Sequence, residues 1–261
     1  MRASPPTPPL AGVLDFTGRV VVVTGASGGV GSGIARRFGE AGATVVVHYH
    51  RDAVGAESVR AAIGRDAFCV AADLAQPGGA ASLAALVTER VGGIDTWISN
   101  AGLQPVQALT DMTRAEFDEV IAANLGAVFE CTLAAANHMR ADGLRSVVNV
   151  ASIEGIQPAA GHSHYSASKA AVLAHTRAAA LELGPTGIRV NAVAPGLIDR
   201  PGMAEAWPEG VARWEAAAPL QRLGTAADVA DACLFLASPL ARWITGAVLV
   251  VDGGVLSRPT W

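Results

Sequence analysis

Apolar residues along this chain follow two rhythms. Seven short runs are rich in β-branched and other apolar residues: Arg19 to Thr24, Ala43 to Tyr49, Ala67 to Ala72, Asp95 to Ser99, Ser146 to Ala151, Arg189 to Val193 and Ala247 to Val251. Such runs, with little polar alternation, read as strands buried on both faces. Between them apolar residues return at helical spacing, as in Ile34-Ala35 with Phe38, or Val172 with Thr176 and Ala179-Ala180. Parallel strands need crossover connections of helix length, so the pattern predicts an α/β, doubly wound fold. About seven parallel strands with helices on both faces would form a single domain over 13–261. The one long irregular stretch, 195–224, is punctuated by prolines and glycines and carries Trp207 and Trp214; it predicts a lid over a substrate.

Composition narrows the classes of partner. The 261 residues could hold one large domain or two small ones, and no composition break marks a boundary. The net charge is −4 with acids and arginines interspersed, so no basic stripe calls for nucleic acid or an anionic membrane. Cys69, Cys131 and Cys233 are odd in number and far apart, which suits buried thiols rather than a disulfide framework or a metal site. Residues 1–12 carry four prolines and no signal-like apolar stretch, so a flexible tail is expected. No run reads as a membrane span. Together these features predict a cytoplasmic protein acting on a small molecule.

Of the 19 lysines and arginines only Lys169 is lysine, and it stands four residues after Tyr165, one of two tyrosines. On a helix that spacing places an ammonium beside a phenol. A positive neighbour favours the ionised phenol, which suits proton exchange with a substrate oxygen.

Val20-Val21-Val22-Val23-Thr24-Gly25-Ala26-Ser27-Gly28-Gly29-Val30-Gly31 is a strand running into a glycine turn and then a helix, an arrangement that aims backbone N–H groups at a pyrophosphate. A P-loop would need a lysine there, and none is present. Gly25 to Gly29 also fits GxSxG, the elbow of a serine hydrolase, but about 85 residues beyond His175 contain no histidine to act as base.

The spacing TGxxxGxG together with Tyr165-x-x-x-Lys169 resembles the short-chain dehydrogenase/reductase family, whose fold is of Rossmann type, and the match runs in order over 16–254. Asn100-Ala101-Gly102, Asn124, Ser152, Pro195-Gly196 and Asp252-Gly253-Gly254 each fall where the family has its own elements. The resemblance implies a general acid/base in Tyr165, a hydrogen bond from Ser152 to the substrate oxygen, and a Lys169 that depresses the tyrosine pKa and binds ribose. It also implies that Asn124 holds a water of a proton relay. The cofactor would meet Gly25, Ser27, Gly28, Gly29, Val30, Gly31, Tyr49, His50, Arg51, Asp73, Leu74, Asn100, Ala101, Gly102, Tyr165, Lys169, Pro195, Gly196 and Ile198. No metal is required, and His162 and His164 read as pocket-rim or polar packing residues.

Departures from the family pattern refine these expectations. Tyr49 stands where an acid would chelate the ribose of NAD, and His50-Arg51 follows, so NADP(H) is preferred, with NAD(H) second. Gly28 in place of an arginine, and Asp52 as a neutraliser of Arg51, count against that preference. Arg200 replaces a frequent threonine after Pro195-Gly196. Relatives acting on carrier proteins have arginines where Gly143 and Leu181 stand, so a free ketone or secondary alcohol is expected. Gln104, Ile153, Glu154, Gln157, His162, Trp207 and Trp214 are its predicted pocket wall. A homotetramer of D2 symmetry is implied by the family, with Thr245 to Val251 at one contact. The reading from another class is a nonenzymatic dinucleotide sensor on the same fold.

Overall fold

The computed structural model describes residues 9–64, 66–141 and 145–258. Most of the expected tail at 1–12, and Gly143, lie outside them. Seven strands form one parallel sheet: β1 (Val20–Val23), β2 (Thr44–Tyr49), β3 (Ala67–Ala71), β4 (Thr96–Ser99), β5 (Ser146–Val150), β6 (Arg189–Pro195) and β7 (Val248–Val251), in the order β3-β2-β1-β4-β5-β6-β7. Each predicted run holds its strand, differing by a residue or two at the ends.

The run Val20 to Val23 is apolar throughout because the sheet is covered twice. Val21 and Val23 join a core cluster with Ile34, Phe38, Val229 and Leu234, whereas Val20 and Val22 join another with Leu83, Trp97 and Cys131. The first layer comes from α1 (Gly29–Glu40) and α2 (Ala53–Ile63), with a later helix from Ala226 to Ala237 packed on α1. The opposite face is covered by α3 (Gly79–Val91), α5 (Ala127–His138) and α6 (Ser163–Leu183), with α4 (Arg114–Ile121) packed on α6.

Within the 25-residue helical stretch Arg114–His138, an 18-residue window has a mean hydropathy of 1.4, enough by length and composition alone to span a membrane. Its apolar side packs within the fold, where Val120, Ala127, Val128, Cys131 and Ala135 are buried.

Stretch 195–224 is not irregular either. It contains α7 (Met203–Ala206) and α8 (Pro208–Ala217), followed by α9 (Ala226–Ala237). Pro208 occupies the first turn of α8, where its missing N–H costs no helical bond. The excursion is tied at its base by a bridge between Ile198 and Gly224.

Candidate active site

The strand order reverses between β1 and β4, and in open α/β sheets such a switch point is where a ligand crevice lies, beyond the carboxyl ends of the strands. Thr24 joins its sides: its hydroxyl accepts from the N–H groups of Asn100 (2.8 Å) and Ala101 (3.0 Å), and its carbonyl accepts from Asn100 Nδ2 (2.9 Å). Gly25 has φ +62°, and a Cβ there would lie 2.9 Å from the Cα of Ala101. A Cβ on Gly31 would run into the Gly25 carbonyl. Only glycine closes this turn at those two points. The start of α1 has no side-chain cap and no acid in its first turn, and a side chain built at Gly28 would meet nothing. Its N–H groups therefore face room for an anion.

Four polar groups meet further along the crevice. Ser152 follows β5 and opens a single turn, Ile153–Gly155. Tyr165 and Lys169 stand one turn apart on α6, with the ammonium 5.6 Å from the centre of the phenol ring. Lys169 Nζ donates to Val150 O at 2.9 Å. Asn124 sits in a π-turn, Ala122–Gly126, between α4 and α5. It accepts from the N–H of Leu103 at 2.7 Å, and it donates to the carbonyl of Leu103 at 2.9 Å and to Ser168 Oγ at 3.0 Å. All four residues are buried.

Burial sets the electrostatics here. It pushes Tyr165 up to about 12; the Ser152 hydroxyl pulls it down, and Glu154 adds to the rise. The depression expected from Lys169 is not among the effects at Tyr165, where desolvation of the phenolate dominates and raises the pKa instead. Desolvation also brings Lys169 down to about 8. Both N–H hydrogens of the Asn124 amide are engaged, one by Leu103 O and one by Ser168 Oγ, so the amide clamps the loop at Leu103.

A polar group of three lines one side. Glu154 accepts from Gln104 Nε2 at 3.0 Å and lies 2.9 Å from His162 Nδ1. The His162 ring stands edge-on to Tyr165, with centroids 6.0 Å apart. The paired imidazole has an acidic partner that its sequence neighbours did not reveal.

Sequence profile and whole-chain comparisons agree with this geometry. The family described as Enoyl-(Acyl carrier protein) reductase matches residues 25–256. The chain belongs to the short-chain dehydrogenase/reductase family. Among its relatives, 3beta-hydroxysteroid dehydrogenase 1 of Eggerthella lenta is 39% identical over 94% of this chain and 96% of its own. Cis-4-hydroxycyclohexanecarboxylate dehydrogenase of Sinomonas cyclohexanicum is 40% identical over 92% and 97%. A short-chain dehydrogenase/reductase structure described as glucose/ribitol dehydrogenase, from Brucella melitensis, superposes with a TM-score of 0.86 at 34% identity, covering 92% of this chain and 98% of that one.

As a short-chain dehydrogenase/reductase the chain is an oxidoreductase that uses a nicotinamide dinucleotide, and the open helix start with its glycine-rich turn fits the pyrophosphate of such a cofactor. The remaining predicted site residues fall unevenly. Tyr49 ends β2 and His50 and Arg51 follow it, with His50 Nε2 3.6 Å from Asp73 Oδ2. Asp52 accepts from Gly55 N at 2.9 Å and caps α2; it makes no ion pair with Arg51 among the described residues. Val30 lies in the first turn of α1, and Leu74 is buried after β3. Pro195 ends β6, and Gly196 lies so close to the Trp214 ring that a Cβ would be 2.6 Å from it.

Trp207 is half-exposed, packs over Gly210 in the next helix and lies under Arg213. Ile153 is buried and Gln157 is exposed. His164 is fully buried with neither ring nitrogen hydrogen-bonded, so polar packing does not describe it. The residue that the sequence reading missed is His48, hydrogen-bonded at both ring nitrogens beneath the glycine turn. Its position in an apolar strand gave no signal.

Proposed function

We propose that the protein is an NADP(H)-preferring oxidoreductase that interconverts a carbonyl and a secondary alcohol on a free small molecule. The observation that carries this reading is the convergence of Ser152, Tyr165, Lys169 and Asn124 beside the open glycine turn. The bound dinucleotide supplies or takes the hydride. In the reducing direction negative charge grows on the substrate oxygen, and Ser152 donates a hydrogen bond to it while Tyr165 delivers the proton. A phenol held high in pKa is protonated at neutral pH, ready for that step. Lys169 places positive charge near the phenol and the ribose, and Asn124 holds the Leu103 loop as a wall of the site. A sensor without turnover would not need these four groups aligned, and the GxSxG reading still lacks a histidine base.

Support for the 2′-phosphate comes from the end of β2. Arg51 is exposed and the acid that could have quenched it caps α2 instead. The substrate wall would combine Ile153 with the Gln104–Glu154–His162 group, a surface suited to a cyclic skeleton bearing further polar substituents. Stretch 199–223 would act as the cover, its base tied by Ile198 and Gly224. Exposed apolar residues on two surfaces, Phe129 with Leu133 on α5 and Val250 on edge strand β7 with Trp243, favour a tetramer of D2 symmetry. We place it in the cytoplasm, with no nucleic acid or membrane partner. A panel of ketones and secondary alcohols with both cofactors, followed by nicotinamide absorbance, tests the reaction. Absence of turnover with every pair would favour the sensor.

A further inference from the structure

His48 lies near the carboxyl end of β2, 1% exposed, with both ring nitrogens engaged. The N–H of Gly25 donates to Nδ1 at 3.1 Å, and Nε2 lies 3.1 Å from Ala72 O. A backbone N–H only donates and a carbonyl oxygen only accepts. The ring is therefore neutral, with its proton on Nε2. The backbone adds further ties, since His48 O accepts from Ala26 N at 2.8 Å and Tyr49 O accepts from Ala72 N at 3.1 Å.

One residue thus joins two segments that are far apart in sequence. The glycine turn after β1 begins at Gly25, in a left-handed conformation with φ +62°. Ala72 precedes Asp73, on the segment that leaves β3. The stretch from Thr24 to Ala35 brings no charge toward the ring, and the neighbouring ionisable side chains, His50 and Asp73, face each other at 3.6 Å. Loss of the imidazole would leave the Gly25 N–H without its acceptor and free the turn to rotate.

We propose that His48 is a positioning residue of the dinucleotide site, a neutral clip that sets the phosphate-facing turn and the β3 exit as one preformed cradle. The proposal rests on the assignment of the Gly25–Gly31 turn to the pyrophosphate. It does not touch the chemistry at Tyr165. Its signature is a loss that falls mainly on cofactor binding.

Three substitutions divide the two arms. His48→Asn keeps an oxygen near the place of Nδ1 and so retains an acceptor for Gly25. His48→Gln keeps an N–H near the place of Nε2, and His48→Leu keeps neither. Cofactor and ADP affinities, measured calorimetrically without substrate, should fall about tenfold or more for His48→Leu, and the KM for the cofactor should rise by more than kcat falls. His48→Asn should recover most of the ADP affinity, and His48→Gln should not.

Nitrogen-15 NMR of the parent should report the Nε2–H tautomer, a readout that survives even if the leucine variant fails to fold. An Nδ1–H or charged ring would overturn the clip, as would a folded His48→Leu that binds like the parent. A parent that binds neither NAD(H) nor NADP(H) would instead remove the cofactor assignment itself.

Discussion

Lys169 Nζ donates a 2.9 Å hydrogen bond to the main-chain oxygen of Val150, two residues before Ser152. The ammonium therefore bridges α6, which also carries Tyr165, to the strand that delivers the serine. Lys169→Arg keeps the charge but places a planar fork where a compact donor fits. We expect cofactor affinity and kcat both to drop by at least about tenfold, since one positioned charged hydrogen bond is worth that much. Kinetics equal to the parent would leave the lone lysine without a role.

Tyr165→Phe should lower kcat by about 10²–10⁴ while leaving cofactor affinity nearly intact, because only the transferable proton is removed. Stopped-flow turnover beside a binding isotherm checks both halves. Activity within about tenfold of the parent would place the general acid elsewhere.

The pH dependence of stability separates two buried groups. Burial lowers Lys169 from 10.5 to about 8. Between those values the unfolded chain keeps a proton that the native state has shed, so stability rises with pH across that window. Tyr165, raised from 10 to about 12, acts in the opposite sense: its contribution is present below pH 10 and lost as the pH climbs to 12. Urea titrations at pH 7.5 and 10 should show the parent gaining on Lys169→Met at the higher pH, by roughly 2 kcal/mol. A constant difference between the two proteins would mean that Lys169 titrates normally.

Much of this was legible in the sequence because it depends on pattern. Strands buried on both faces read as unbroken apolar runs, and the residues that close the glycine turn are those that sterics require. The unread parts depend on three-dimensional context. Pro208 and Gly210 look like loop punctuation, yet one opens α8 and the other makes room for the Trp207 ring. Asp52 looked like a partner for Arg51 until the start of α2 claimed it. The pKa of Tyr165 follows from how deeply α6 is packed, which no spacing encodes, and the partner of His162 lies on a turn eight residues earlier.

Asp95 ties the start of β1 to the lower end of the sheet. It is 1% exposed, accepts from Val20 N at 2.8 Å and pairs with Arg19 (3.3 Å) and Arg140 (3.2 Å). Asp95→Ala removes the acceptor for a buried N–H and leaves two guanidinium groups without their acid, a change that should cost about 3–5 kcal/mol. Chemical denaturation measures it. A loss below about 1 kcal/mol would reduce the network to a surface decoration.

Light scattering at micromolar concentration should return four times the 26.5 kDa of one chain. Trp243→Glu, at a residue 96% exposed in the single chain, should shift the population toward smaller species if the second contact runs along β7. A monomeric parent would remove the tetramer.

Cofactor choice rests on Arg51, the exposed residue at the end of β2. With Asp52 committed to Gly55 and His50 beside Asp73, Arg51 has no acidic partner among the described residues and can turn toward a 2′-phosphate. A charge-assisted contact of that kind contributes roughly 1.5–3 kcal/mol, or about ten- to hundredfold in affinity, and its exposure places it toward the lower figure. Arg51→Ala should therefore weaken NADP(H) by about tenfold and NAD(H) by far less. His50→Ala should have a smaller effect, because that ring is already engaged by a carboxylate. Titrating both cofactors into parent and variant decides it: an equal loss for the two, or a parent that already prefers NAD(H), would assign the ribose to Tyr49 and the backbone and leave Arg51 to solvent.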